Sequence, residues 1–230
     1  MASKLDLVRA ATWASYLNAD ELDRASRGIS EKFFAKGNYI CHRGERLDYW
    51  TGVISGLVKM SSITRDGRAI SFVGVGAGGW FGEGTMLKDE PRKYDIVALR
   101  ETHILMMNRQ TFHWLMENSV GFNRFLVRQL NERLGQFIAT TEYGRILDNK
   151  GKVARNLAWL CNPVLNPLVG RTVEITQEEL ALLAGVSRPV ANRSLQELEQ
   201  EGLIRTAHGQ IAVLDVDSLA GYGLPDNELD

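Results

Sequence analysis

Ile175-Thr-Gln-Glu-Glu-Leu-Ala-Leu-Leu-Ala184, followed without a break by Gly185-Val-Ser-Arg-Pro-Val-Ala-Asn-Arg193, decides the architecture of this 230-residue chain. Thr176 and Glu179 are spaced as a capping box, in which the threonine side chain accepts from the third amide and the glutamate reaches back. That predicts a short helix over Gln177 to Ala184 with Leu180, Leu183 and Ala184 turned inward. Gly185 supplies the left-handed residue that ends it sharply. Ser187 offers a second N-cap, and Pro189 is tolerated in a first turn whose amides are unbonded anyway. The second helix then runs from Arg188 to about Glu201, burying Val190, Ala191, Leu195 and Leu198. Two helices joined by a glycine turn make a helix-turn-helix. Beyond Gly202, Leu203-Ile-Arg205 and Gln210-Ile-Ala-Val213 flank a glycine-containing turn, the β-hairpin of a winged variant.

On the second helix Arg188, Asn192 and Gln196 lie four apart and share a face, with Arg193 beside them. Arginine pairs with guanine and asparagine or glutamine with adenine, so these residue types can read base edges. Thr176, Ser187 and Pro189 at the two helix starts complete the candidate DNA-binding set. A solvated helix face is the plainer reading, and residues 140–215 hold eight Lys/Arg against nine Asp/Glu. Locally, however, Ser187 to Gln196 holds two arginines and no acid, while Glu197, Glu199 and Glu201 gather at the far end. A helix presenting its first turns to the major groove keeps those acids away from phosphate. The segregation favours double-stranded DNA as partner.

Upstream, eleven of the 22 glycines lie between Gly37 and Gly84, separating short runs such as Asn38-Tyr-Ile-Cys41, Trp50-Thr-Gly-Val-Ile54, Gly56-Leu-Val-Lys-Met60 and Ile70-Ser-Phe-Val73. Arg65-Asp66-Gly67-Arg68 reads as a hairpin turn. Asp95 to Leu99 and Thr102 to Met107 read as the last two strands of one antiparallel unit over roughly 30–108. From about Arg109 the period changes to that of a helix. Phe122, Leu126, Leu130, Leu134, Phe137 and Ile138 form one long apolar stripe, with Arg124, Arg128, Glu132 and Arg133 mostly elsewhere on the surface. The stripe packs either on its own β unit or along a coiled-coil-like homodimer seam; its length and large residues favour the seam, with Phe122, Leu126, Leu130, Leu134 and Phe137 as interface. A shorter helix follows with Val153, Leu157 and Leu160 on one face, stopped by Asn162-Pro-Val-Leu-Asn-Pro167. The fold class is therefore α+β: an antiparallel, jelly-roll-like β-roll over 1–117, a long dimerisation helix over 118–146 and a winged helix-turn-helix over 147–218.

Composition narrows the function. Net charge is −1, which excludes a polybasic membrane clamp. The longest charge-free stretch, Asn156 to Gly170, is too short for a bilayer and carries two prolines, and the N-terminus lacks a signal-peptide core, so a cytoplasmic location is expected. Cys41 and Cys161 have no metal-ligand spacing. The two are too few for an iron–sulfur cluster. His42, His103 and His113 are haem-ligand candidates by type alone, with a structural or solvent-facing role favoured for each, and Cys41 beside His42 and Arg43 is either a redox thiol or a buried inert one, the latter favoured. Only His42 and Glu45 fall together, so a cupin-like metal constellation is incomplete, and no Ser-His-Asp or Cys-His signature is present. No enzyme is expected.

The stretch from Ile175 to Arg193, closed by Leu195-Gln-Glu-Leu-Glu-Gln-Glu-Gly-Leu-Ile204, resembles the DNA-binding domain of Crp/Fnr transcription regulators. Gly37…Gly44-Glu45, Gly52-Val-Ile-Ser-Gly56-Leu-Val and Trp80-Phe-Gly-Glu83 are similar to that family's cyclic-nucleotide-binding β-roll, and the long helix takes the place of its dimerisation helix. The resemblance implies a homodimer on a near-palindromic site, and RNA polymerase as a partner if the protein activates. Arg188 and Arg193 match the arginines of the family's Arg-Glu-x-x-x-Arg recognition pattern, whereas Pro189 replaces the glutamate, so at least one base pair of the site should differ. The effector pocket implied by the resemblance comprises Gly82, Glu83, Arg92, Lys93, Tyr94, Phe137 and Ile138. Gly82-Glu83 is kept, but the closing Arg-Ser-Ala tripeptide aligns with Lys93-Tyr94-Asp95, Arg92 lies one residue early, and the family's Thr-Ser pair aligns with Phe137-Ile138, which cannot hydrogen-bond. These departures argue against cyclic AMP and leave either another small effector or a constitutive regulator whose pocket Phe137 and Tyr94 fill. Trp50, Phe72, Trp80 and Phe81 are either β-roll core or the lining of an apolar pocket.

Overall fold

A computed structural model describes residues 3–63, 69–143 and 147–224. Two capping boxes, Ser3 with Asp6 and Asn18 with Glu21, start helices α1 (Lys4–Arg9) and α2 (Ala19–Arg27), with a 3₁₀ turn (Thr12–Tyr16) between them. These helices are absent from the sequence reading, although Asn-x-x-Glu ahead of a helical run is a readable start signal.

Eight strands follow: β1 (Ile29–Phe34), β2 (Tyr39–Cys41), β3 (Tyr49–Ser55), β4 (Val58–Ile63), β5 (Ala69–Val75), β6 (Trp80–Phe81), β7 (Asp95–Ala98) and β8 (Thr102–Asn108). A short helix, α3 (Glu83–Lys88), interrupts them after β6. They form two four-stranded sheets, ordered β1-β8-β3-β6 and β2-β7-β4-β5, with antiparallel pairing throughout. The turn expected at Arg65 to Arg68 lies outside the described residues; the strands on either side of it pair, Ile63 opposite Ala69.

The first sheet is covered by the N-terminal helices, α4 (Arg109–Asn118) and the start of α5 (Val120–Tyr143). What they enclose is aromatic. Trp13, Trp50 and Trp80 meet with ring centroids 4.3 to 5.9 Å apart, and Phe112 and Phe122 meet Trp50 edge-on at 5.7 and 5.5 Å. Edge-to-face geometry sets the negative ring face against a positive ring edge, which stabilises beyond area burial. Trp50, Trp80 and Phe81 are thus core, and Phe72 packs half-buried against the second cluster, between the sheets.

This packing corrects the expected seam. Phe122 (0% exposed) and Leu126 are consumed inside the chain, because the first half of α5 serves the tryptophan cluster. The outward row carries Val120, Val127, Leu134 (58% exposed) and Ile138, with Leu130 half-buried at its edge. A second correction concerns Arg133: it was placed on the surface, yet it is buried with Gln129 and Gln136 at four- and three-residue steps along the inward row.

α6 (Asn149–Leu160) buries Val153, Leu157 and Leu160 as the periodicity required. β9 (Thr172–Glu174) leads to α7 (Gln177–Ala184) and α8 (Arg188–Gln200). The wing, β10 (Ile204–Ala207) and β11 (Gln210–Val213), pairs antiparallel and extends to β9, a third strand the sequence reading did not include. α9 (Val216–Ala220) closes the described chain. Among the described residues no helix is long and apolar enough to cross a membrane, and no group of three His, Cys, Asp or Glu could hold a metal.

Phe122 separates core from seam experimentally. Phe122→Ala should cost about 3–5 kcal/mol in urea unfolding, as expected for emptying a buried aromatic site. A loss below about 1 kcal/mol would place the ring outside the core.

Candidate nucleic-acid interface and effector pocket

The capping box at Thr176 forms as read: Thr176 Oγ1 accepts from Glu179 N at 3.2 Å, while the Thr176 amide donates to Glu179 Oε2 at 2.7 Å. Gly185 ends α7 with φ of 67°. Ser187 caps α8 by backbone conformation, without a side-chain cap bond. From this start Ser187, Arg188, Pro189, Arg193 and Gln196 are all exposed on the first turns of α8. Asn192 is half-buried, its Oδ1 accepting from Gln177 Nε2 at 2.9 Å, so α7 orients it. The hydroxyl of Thr176 is exposed but donates to Glu179 Oε2.

The acids of α8 are occupied at its far end. Glu197 and Glu201 hold Lys150 of α6 at 3.3 and 2.9 Å, and Tyr222 donates its hydroxyl to Glu201. Hydrogen bonds donated by the Lys150 ammonium to Tyr222 and Glu201 keep it above its usual range. Glu199 accepts from the amide and hydroxyl of Thr206 at 2.6 and 2.8 Å, which lowers its carboxyl. The start of α8 therefore carries net positive charge although the surrounding domain does not. The Lys150 clamp joins residues about fifty apart, beyond the reach of a local spacing rule.

The second site lies in the β-roll. Gly82 adopts φ of 98°, and the Arg92 guanidinium packs directly on it: a Cβ there would sit 2.4 Å from Nη2. Arg92 is only 2% exposed and Glu83 6%. Arg92 Nη2 donates to the Tyr49 carbonyl at 3.2 Å, but Nε, Nη1 and Glu83 Oε2 are buried with no hydrogen-bond partner among the described residues. Burial and then the Glu83 charge push the Tyr94 hydroxyl up, opposed by Arg92 and Arg133. Those four groups thus share one environment. Arg133 reaches it from α5, donating to the Trp80 carbonyl at 3.0 Å alongside Gln129 at 3.2 Å. The signal that could have found it is the spacing of Gln129, Arg133 and Gln136 beside the apolar stripe.

Of the other expected pocket residues, Lys93 points outward and pairs with Glu90 at 2.8 Å. Ile138 is exposed, whereas Phe137 packs half-buried on the same cluster as Tyr94. Thr140 and Thr141 return their hydroxyls to the carbonyls of Gln136 and Phe137 at 2.7 and 2.8 Å. Asp95 is buried and accepts from the Arg43 amide at 2.9 Å. Cys41 is buried, and burial, only partly offset by Arg92, pushes its thiol up to about 11, which suits an inert thiol. His103 bonds Glu31 at 2.9 Å and stacks on Phe33, and His42 stacks on Tyr39.

Both domains have counterparts in known proteins. Residues 31–119 match the family model of the cyclic nucleotide-binding domain, and residues 151–222 that of the Crp-like helix-turn-helix domain. A cyclic AMP receptor protein of Thermus thermophilus is 27% identical over 197 residues, 86% of this chain and 89% of that one. The cAMP-activated global transcriptional regulator CRP of Haemophilus influenzae is 29% identical over 187 residues, covering 80% and 82%. The structure of FixK2 from Bradyrhizobium japonicum superposes with a TM-score of 0.67 over 86% of this chain and 98% of that one, at 18% identity, a likeness of fold. With a β-roll that matches the cyclic nucleotide-binding domain model, a long helix and a winged helix-turn-helix in this order, the chain belongs to the Crp/Fnr family of transcription regulators.

Proposed function

We propose that the protein is a homodimeric, sequence-specific DNA-binding regulator in which Arg188 and Arg193 read a near-palindromic site and the β-roll pocket senses a small effector other than cyclic AMP. The observation that carries the DNA reading is the exposed, acid-free start of α8, with Glu197, Glu199 and Glu201 tied up at the opposite end. Guanidinium groups there can form bidentate bonds to guanine while the first turn approaches phosphate. Such a protein acts where the DNA is, in the cytoplasm, and if it activates it contacts RNA polymerase.

Homodimerisation uses the outward row of α5. Val120, Val127 and Leu134 recur every seven residues, flanked by Leu130 and Ile138, which is the repeat that brings two helices together along a seam. Phe122 and Leu126 take no part in it. For the pocket, the atoms of Arg92 and Glu83 that have no hydrogen-bond partner among the described residues favour a ligand over a self-filled, constitutive site, because buried polar atoms are costly to leave unbonded. Arg92 and Arg133 suit an anionic group and Glu83 a hydroxyl donor. Against cyclic AMP stand Phe137 and Ile138, which lack hydrogen-bonding groups, and the hydroxyls of Thr140 and Thr141, which are engaged by their own helix.

Selection from random duplexes with purified protein, with and without cyclic AMP, tests the reading. An enriched near-palindrome bound equally in both arms is expected; enrichment only with cyclic AMP would overturn the effector assignment, and no enrichment would overturn the DNA reading. Arg188→Ala should weaken the enriched site by about 1–3 kcal/mol in a binding titration while sedimentation leaves the dimer intact. Leu134→Lys should shift the sedimenting species toward monomer with urea unfolding of the β-roll unchanged, since its side chain is already mostly in solvent within one chain.

A further inference from the structure

The β-roll grips α7 along its whole length. At the first turn, Arg100, in the turn between β7 and β8, forms a bidentate pair with Glu179: Nε to Oε1 at 2.8 Å and Nη2 to Oε2 at 2.5 Å. Glu179 is almost fully buried, and its Oε2 also accepts from the amide and hydroxyl of Thr176. Lys36 stands 3.7 Å from the neighbouring Glu178. Farther along, Ser71 of β5 donates to the Leu182 carbonyl at 2.5 Å, and the backbone of β5 at Gly74 lies against Leu183. In the loop after α6, Asn166 accepts from the Gly76 amide at 2.8 Å. None of these contacts covers the exposed start of α8. Through Gln177 and Asn192, α7 is itself bonded to that helix.

We propose that Arg100 and Glu179 are positioning residues for DNA binding: their pair, joining the effector domain to the cap of α7, holds the recognition helix in the pose that meets the major groove. The inference rests on the reading of α8 as the DNA-binding helix. Three features single out this pair among the contacts. It is two-pronged and largely withdrawn from water, where charge-assisted bonds are strong and directional. Its acid is the same carboxylate that caps α7, so the start of the helix and the position of the domain depend on one group. And Arg100 sits two residues beyond the end of β7, the strand that begins at Asp95, three residues after Arg92 of the effector pocket. Without the pair the domain samples other poses, and the apparent affinity for DNA falls in proportion to the fraction still docked.

The test uses the full-length protein as R100Q, E179Q, R100K and the R100Q/E179Q double variant. Glutamine at 179 retains the capping box, so E179Q removes the ion pair without removing the helix start. Hydrogen exchange by mass spectrometry should quicken over residues 70–79 and 164–186 in R100Q and E179Q alike, while β3 and β8 keep the wild-type rate. Both should bind the selected duplex about fivefold or more weakly, R100K less so, and the double variant no worse than either single one. Simple phosphate electrostatics predicts otherwise: losing a cation weakens binding, losing an acid strengthens it. Opposite shifts in the two variants, unchanged affinity, or unchanged exchange with DNA binding intact would each overturn the positioning role alone. A wild-type protein that enriches no duplex would overturn the DNA reading and this role with it, whatever the exchange rates.

Discussion

α5 has to satisfy three surroundings at once, and the layout of the molecule follows from how it does so. Its first turns drive Phe122, Phe125 and Leu126 into the tryptophan cluster, which anchors the helix to the β-roll. Its inward row then turns polar, and Gln129 and Arg133 are tied to the Trp80 carbonyl, two residues before Gly82. Its outward row stays apolar and uncovered. Apolar burial supplies the anchoring free energy without direction, whereas the buried guanidinium has to be met by specific acceptors. One helix thus links the rim of the effector pocket to a surface suited to a second copy.

The same division between non-directional and directional forces recurs in the C-terminal domain. Leu180, Leu183, Leu195 and Leu198 pack its core. Charges then decide its orientation and its use: Lys150 draws Glu197 and Glu201 to one end of α8, leaving arginines at the other, and Arg100 takes Glu179 at the start of α7. A domain that is nearly neutral as a whole acquires a positive start to α8 because its acids gather and find partners at the other end, not because it has few of them.

Much of this was legible along the chain. Thr176 with Glu179, Gly185 and Pro189 mark helix starts and stops because capping and backbone geometry are satisfied within a few residues. Six of the eight β-roll strands were readable as short apolar or alternating runs, four of them set among the glycines between Gly37 and Gly84. The seam was half legible. A 3.6-residue period identifies an apolar face but not whether its own domain or a partner covers each part, so Phe122 and Leu126 were assigned to the wrong surface. Arg133 was missed because a charged residue beside an apolar stripe looks like a solvated one until a carbonyl from β6 is found next to it. The pocket split likewise: Gly82, Glu83, Arg92 and Tyr94 converge, while Lys93 and Ile138, placed by alignment to a pattern, turn away.

Local chemistry in the order of residues was enough to establish the two structural classes, the helix-turn-helix with its wing and the exposed arginines, since each depends on neighbours within about one to three helical turns. Long-range contacts were needed for everything that joins distant segments: the tryptophan cluster closing over α5, the approach of Arg133 to Glu83 and Arg92, the Lys150 clamp and the Arg100–Glu179 pair. Those partners lie tens of residues apart, so which of them meet depends on the folded path of the chain, and no spacing rule carries that information.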